Sequence, residues 1–202
     1  MVRRTMAALM ALMLGVLVMS AACSPAPAPT EGAKADAQTA AAADKRPKSY
    51  ALMGQSIPPF RATLSAGGSL TEADLKGKWT VVDFWGIWCP DCMRDADHVA
   101  ALHRAIQQDP ELRLVSVHVD KRTGAYASVQ DYVTQKQIAY PVLLDPDKSL
   151  YVAFQITWVP SYLVIDPNGV VRGFRTDLST ETDPQGGVKK FIQDIAALRS
   201  GS

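Results

Sequence analysis

Apolar positions are spread unevenly along the chain and divide it into three zones. Met6 to Ala22 is a run of 17 residues without a charge, preceded by Arg3 and Arg4. Ser24 to Lys48 contains no aliphatic or aromatic residue besides alanine and mixes Pro, Gly and charges. Such a stretch cannot bury enough apolar surface to offset chain entropy. From Tyr50 onward apolar residues recur with the periods of strands and helices.

Within that third zone, Pro58 to Leu64, the glycines Gly67 and Gly68, and Ser69-Leu70 predict a strand, a turn and a return strand. Thr71 to Leu75 carries a helix-start capping pattern that Gly77 stops. Trp79 to Trp85 (WTVVDFW) is a β-branched and aromatic run with the length of a buried strand. Val99, Leu102 and Ile106 share one face of a helix expected from Pro90 to about Gln108, ended by Asp109-Pro110. Leu112 to Val119 alternates as a second strand, Val129, Tyr132 and Val133 mark a further helix, and Tyr140 to Leu144 is a short apolar segment. Ser161 to Ile165 and Val170 to Phe174 flank an Asn168-Gly169 turn and predict a hairpin. Val188 to Leu198 closes the chain as an amphipathic helix with Phe191, Ile192, Ile195 and Leu198 inward. Alternating strands and helices followed by a hairpin and a helix predict an α/β sandwich around a mixed sheet.

The first zone has the order of an export signal: basic residues, an apolar run, then small residues before Cys23. Its competing reading is an uncleaved anchor, since 17 residues lie at the lower limit for a membrane span. Met19-Ser20-Ala21-Ala22-Cys23 is similar to a bacterial lipoprotein cleavage site, in which Cys23 becomes the lipidated first residue. Ser20 stands where that pattern usually has an aliphatic residue; the alternative is an ordinary signal peptide with Cys23 incidental. The expected organisation is a signal peptide over 1–22, a disordered Ala/Pro-rich tether over 23–49 and one folded domain over 50–202.

Charge narrows the possibilities further. Lys plus Arg number 21 against 20 Asp plus Glu, a net +1 with no basic face obvious from the counts, which argues against a nucleic-acid partner. Three cysteines are too few for a disulfide-stapled scaffold.

Chemistry concentrates at Trp88-Cys89-Pro90-Asp91-Cys92, where the predicted buried strand gives way to a helix. A Cys at a helix N-terminus faces free backbone N–H groups and the positive end of the dipole, which favours thiolate, the nucleophilic form. The two-residue gap puts Cys92 one turn further in, within reach of a mixed disulfide on Cys89. Pro90 fits the first turn, where a missing N–H costs nothing. The alternatives are a structural zinc pair, with His98 giving Cys-x2-Cys-x5-His, or an inert disulfide.

From about Leu52 to Leu198 the chain resembles the thioredoxin superfamily, and within it the exported TlpA-like thiol–disulfide oxidoreductases of the cytochrome c maturation type. Val82 to Cys92 (VDFWGIWCPDC) and Val159-Pro160 before SYLVID carry the resemblance. It implies a three-layer sandwich with an N-terminal β-hairpin extension and a central insertion over 120–147. Cys89 then corresponds to the exposed attacking thiol and Cys92 to the buried resolving one, with their disulfide the only redox group and no separate cofactor or metal. Pro160 matches the family's cis-proline, with Val159 offering backbone to a client strand and Trp88 and Pro90 completing the client-facing surface. Asp83 falls where thioredoxins keep a buried carboxylate that accepts the proton of the resolving thiol. Asp95 matches a Glu near the thiols in the cytochrome-maturation branch; it is one methylene shorter, and its plain alternative is a solvated carboxylate at a helix start. Trp158 replaces a small residue common in relatives. His103 and His118 read as surface or edge residues.

Asp91, Asp95 and Asp97 place negative charge near the helix start, which by Coulomb reasoning raises the pKa of Cys89 and predicts a reducing pair. The expected protein is a membrane-tethered reductase on the periplasmic side of a bacterial envelope. Its donor is a membrane thiol–disulfide relay, and its clients carry apocytochrome c or copper-site cysteines. The alternatives are a thiol oxidase or isomerase, a copper-binding module, and a thiol peroxidase, which requires a Pro-x3-Thr/Ser-x2-Cys arrangement that residues 84–92 lack.

Overall fold

The computed structural model describes residues 44–179 and 184–201. The expected signal peptide, the lipidation candidate Cys23 and most of the expected tether lie outside the described residues. Seven strands form one sheet in the order β2-β1-β5-β4-β3-β6-β7. They are β1 (Arg61–Leu64), β2 (Ser69–Thr71), β3 (Trp79–Trp85), β4 (Leu112–Val119), β5 (Val142–Asp145), β6 (Ser161–Ile165) and β7 (Val171–Arg175). The three central strands β3, β4 and β5 are parallel, and the flanking strands are antiparallel to their neighbours. This is the mixed sheet of the expected thioredoxin-like sandwich.

Helices α1 (Pro90–Ile106) and α4 (Pro184–Ser200) pack together on one face. There Val81, Val99, Leu102, Leu114, Tyr162, Phe191 and Ile195 form one core. On the other face Val82, Phe84, Val115, Val117, Leu163 and Ile165 pack with Tyr50, Leu52, Ile57 and Phe154. All seven residues of β3 are buried, because successive side chains enter the two cores alternately. Short helices α2 (Val129–Gln135) and α3 (Ser149–Ala153) flank β5 in sequence.

Local signals explain the boundaries. Thr71 precedes a short 3-10 helix, Glu72–Leu75, and the Asp74 carboxylate accepts from the N–H and hydroxyl of Thr71 at 2.8 and 2.7 Å. Gly77 ends that turn with φ at +81°, a conformation a Cβ disfavours. Helix α1 stops at Ile106, two residues before the expected Gln108. Strand β7 begins at Val171, because Val170 forms a separate antiparallel bridge to Ser56. Helix α3 has no counterpart in the sequence expectations. Its N-terminus is held from outside, by the Asp145 carboxylate accepting from the N–H groups of Leu150 and Tyr151, both at 2.9 Å.

The domain also begins earlier than Tyr50: Arg46 is ion-paired with Asp177, beyond β7. Among the described residues no helix is long and apolar enough to cross a membrane.

Candidate active site

Strand β3 delivers the chain to a four-residue turn, Gly86 to Cys89, and Cys89 is the N-cap of α1. Its Sγ accepts the backbone N–H of Cys92 at 3.2 Å, one of the donors that a helix start leaves free. Its thiol donates to the carbonyl of Val159 at 3.5 Å, and the Val159-Pro160 peptide bond is cis. The two sequence-distant segments singled out above therefore meet at one sulfur. Both thiols are free.

Two expectations about Cys89 are corrected. Its exposure is 5%, hardly different from the 4% of Cys92, so solvent contact does not distinguish attacking from resolving thiol. Cys89 is closed in by the cluster that includes Trp85, Ile87 and Val129, with Trp88, Met93 and Val159 packed against it. What separates the pair is hydrogen bonding at Cys89 and burial at Cys92. The Cys89 pKa is lowered to about 7, chiefly by hydrogen bonding from Cys92, against burial and the charge of Asp91. The Coulomb argument from Asp91, Asp95 and Asp97 thus had the wrong sign for the net effect. Asp91 is the acid that opposes the thiolate and is ion-paired with Arg94, Asp95 is committed elsewhere, and Asp97 is exposed. Burial pushes the Cys92 thiol far up, reinforced by the neighbouring Cys89.

Asp83 lies on β3 with 2% exposure, and its Oδ1 has no hydrogen-bond partner. Burial raises its pKa well above the usual carboxylate range, and Asp95 and Cys89 add to the rise. A cavity of about 20 Å³ is lined by Asp83, Trp85, Cys92, Tyr132, Tyr140 and Tyr162. That is room for about one water molecule, between the resolving thiol and the carboxyl in an otherwise largely apolar and aromatic lining.

Asp95 is neither of the things expected of it. It is 1% exposed, so it is no solvated carboxylate, and none of its hydrogen bonds goes to a thiol. It accepts from the Tyr162 hydroxyl at 2.8 Å and from the N–H groups of Leu178 and Ser179 at 2.9 and 3.0 Å. Its first effect is to clamp α1 to the segment after β7. Tyr162, which pairs with Asp83 across the sheet register, was not singled out from the sequence.

Of the other residues expected to face a client, Pro90 is exposed, Val159 is partly buried and Pro160 is buried. The Trp88 indole N–H is used internally, donating to Val119 O at 2.9 Å, and Arg122 stacks over its ring at 3.8 Å. Trp158 is partly buried, and its carbonyl accepts from the Ser161 hydroxyl. His118 is a correction: it is 1% exposed, and its Nε2 accepts the Ile87 N–H at 3.2 Å. It read as a surface or edge residue for want of a partner in the sequence, but β4 is paired on both sides, with β3 and β5, and the partner of the ring is a backbone N–H. No three His, Cys, Asp or Glu among the described residues gather so as to hold a metal ion.

Residues 53–174 match the family described as AhpC/TSA. The chain belongs to that family. The AhpC/TSA match spans β1 to β7 almost completely, with the thiol turn and the cis-proline inside it. Relatives share its cysteine chemistry by name. The thiol–disulfide oxidoreductase ResA of Bacillus subtilis is 27% identical over 129 residues, which is 64% of this chain and 70% of that protein. A solved thioredoxin-family thiol:disulfide interchange protein from Chlorobium tepidum is 26% identical with a TM-score of 0.54, covering 67% of this chain and 94% of that one. A putative thiol:disulfide interchange protein DsbE from the same organism has a TM-score of 0.59 at 22% identity, covering 72% and 97%. These relatives bear the enzyme class expected from the sequence, thiol–disulfide oxidoreductase on a thioredoxin fold. Within the AhpC/TSA family this chain has no peroxidatic arrangement at Cys89: Val82 and Gly86 occupy the positions where it needs Pro and Thr or Ser.

Proposed function

We propose that the protein is an exported, membrane-tethered reductase of disulfides in client proteins. The Cys89 thiolate attacks a client disulfide, forming a mixed disulfide and releasing one client sulfur as thiolate. Cys92 then transfers its proton toward Asp83 and attacks the Cys89 sulfur, which frees the second client thiol and leaves the Cys89–Cys92 disulfide. Two electrons pass to the client, and its two released thiolates take up their protons from solvent and from Asp83. An upstream dithiol returns the pair to its reduced form. The backbone at Val159 offers the client segment a strand partner beside the thiol, with Pro90 exposed next to it. Asp95 acts in this scheme by holding the helix that carries both cysteines.

The observation that carries the reading is the Cys89 sulfur, cradled by the Cys92 N–H with its pKa lowered only to about 7. That matches the thioredoxin end of the scale, whereas strongly oxidising relatives stabilise the thiolate to about 3.5. The reductant expectation therefore stands on a different footing from the acidic cluster that first suggested it. The export signal and Cys23 support a periplasmic, lipid-anchored location, and exposed thiols of apocytochromes or copper sites are the clients whose chemistry needs a local reductant in an oxidising compartment.

Equilibration of the pair in a dithiothreitol or glutathione redox buffer tests this. A potential at or below roughly −250 mV supports a reductase, and one near −120 mV makes the protein an oxidant or isomerase. Failure to titrate, with copper or zinc released on denaturation, replaces the enzyme with a metal-binding module.

A further inference from the structure

The turn that presents Cys89 is fastened to the end of β4 at two consecutive residues. Ile87 N–H donates to His118 Nε2 at 3.2 Å, and Trp88 Nε1 donates to Val119 O at 2.9 Å. The same turn is closed by Cys89 N–H donating to Gly86 O at 3.0 Å. It leaves no slack: a Cβ on Gly86 would lie 2.5 Å from Trp88 Nε1. Ile87 is buried, so its N–H has no water to turn to, and an unpaired buried donor costs about 1–3 kcal/mol. Since Cys89 follows Ile87 by two residues, the geometry of this anchor sets where the N-cap sulfur sits over the helix start.

We propose that His118 is a positioning residue for the nucleophile, holding the Gly86–Cys89 turn through a neutral imidazole that accepts from Ile87. The assignment rests on the reading of Cys89 as the attacking thiol. A ring that accepts at Nε2 carries its proton on Nδ1, which is buried without a hydrogen-bond partner, so the tautomer is fixed by the Ile87 N–H alone. Burial favours this neutral form and lowers the His118 pKa, with Asp120 the charged group opposing. Asp120 is itself engaged by Arg122 and Lys148. The Trp85 ring meets the imidazole edge-on at 5.2 Å and fixes its plane. A carbonyl or carboxylate could accept the same N–H, but neither offers a ring for Trp85 to pack against.

Three full-length proteins test the assignment: wild type, His118→Phe, which keeps an aromatic ring against Trp85 without the acceptor, and His118→Gln, which restores an acceptor at similar reach. The readout is the rate of Cys89 alkylation by iodoacetamide against pH, with near-UV circular dichroism reporting the fold. His118→Phe is expected to slow alkylation at pH 6.5 about three- to tenfold and move the midpoint up by about half to one pH unit, as a weakened hydrogen bond to a thiolate requires. His118→Gln is expected to stay within about twofold of wild type. An unchanged midpoint in a folded His118→Phe protein overturns the proposal, as does a Gln variant no better than Phe. If the Phe variant does not fold, nitrogen NMR of the wild-type ring decides: Nδ1–H with Nε2 unprotonated supports the assignment, and the opposite tautomer overturns it. Failure of the attacking-thiol reading looks different, because wild-type Cys89 itself then shows no depressed midpoint.

Discussion

Asp83, on the strand that leads to the cysteines, and Asp95, on the helix that carries them, are almost equally buried carboxylates at 2% and 1% exposure, and they do opposite things. Asp95 collects a tyrosine hydroxyl and two backbone N–H groups, so its lone pairs are satisfied and it joins α1 to the segment after β7. Asp83 keeps an oxygen without a partner beside a small cavity that Cys92 also lines, and its pKa is driven up. Burial by itself therefore does not mark a catalytic acid. A buried carboxylate with a full set of donors is a structural joint, and one left short of donors is poised to take a proton.

The largest effect expected from this contrast is on Asp95. Replacing it by Ala leaves the Tyr162 O–H and the Leu178 N–H unpaired, while the Ser179 N–H keeps only Asp177. Thermal unfolding should show a loss of about 3–5 kcal/mol, or roughly 10–15 °C in melting temperature. A loss confined to activity would instead return Asp95 to the catalytic role first expected of it.

Asp83→Asn should behave in reverse. Single-turnover reduction of a model disulfide should slow about ten- to a hundredfold at the resolution step, as loss of a proton acceptor does. Stability should not fall. The folded pKa of Asp83 is raised, so this group favours the folded state most below about pH 4 and withdraws that support as pH climbs toward its folded value. The Asn variant has no such decline, so it should melt above wild type at pH 8, with the gap closing at pH 4.

Tyr162→Phe touches both sides, since the ring faces the Asp83 cavity and the hydroxyl serves Asp95. Unfolding should show a cost of about 1–2 kcal/mol, while the resolution rate stays within about twofold. The smallest effect belongs to Arg46→Ala. Arg46 pairs with Asp177, which shares Ser179 N–H with Asp95, yet sits near the surface. A change beyond about 0.5 kcal/mol would make the N-terminal segment part of the clamp rather than its margin.

The same contrast explains what could be read from the sequence. The ranges of β3 and β6 were legible as short β-branched and aromatic runs of strand length, and that of β4 from its alternation. Cys89 and Cys92 stood out through motif and spacing, while Asp83 and Pro160 came only from the family resemblance. The network of Asp95 was not, because its donors lie 67 to 84 residues away and two are backbone N–H groups that no side-chain pattern announces. Helix α3 escaped for a related reason, since it is five residues long and held by Asp145 from outside. The sign of the Cys89 shift was misjudged because counting nearby acids ignores hydrogen bonds, and two N–H or S–H donors at contact outweigh a screened charge.

The central claim is that hydrogen bonds at the helix start favour the Cys89 thiolate while burial suppresses that of Cys92, splitting the pair into one acid and one very weak acid. It is tested most directly by following thiolate absorbance near 240 nm against pH in the reduced full-length protein. The account predicts one thiolate appearing with a midpoint near pH 7, lost in Cys89→Ser, and no second thiolate from the pair before the protein unfolds in alkali. Two thiolates of the pair rising together near the ordinary value of about 8.5 would contradict it.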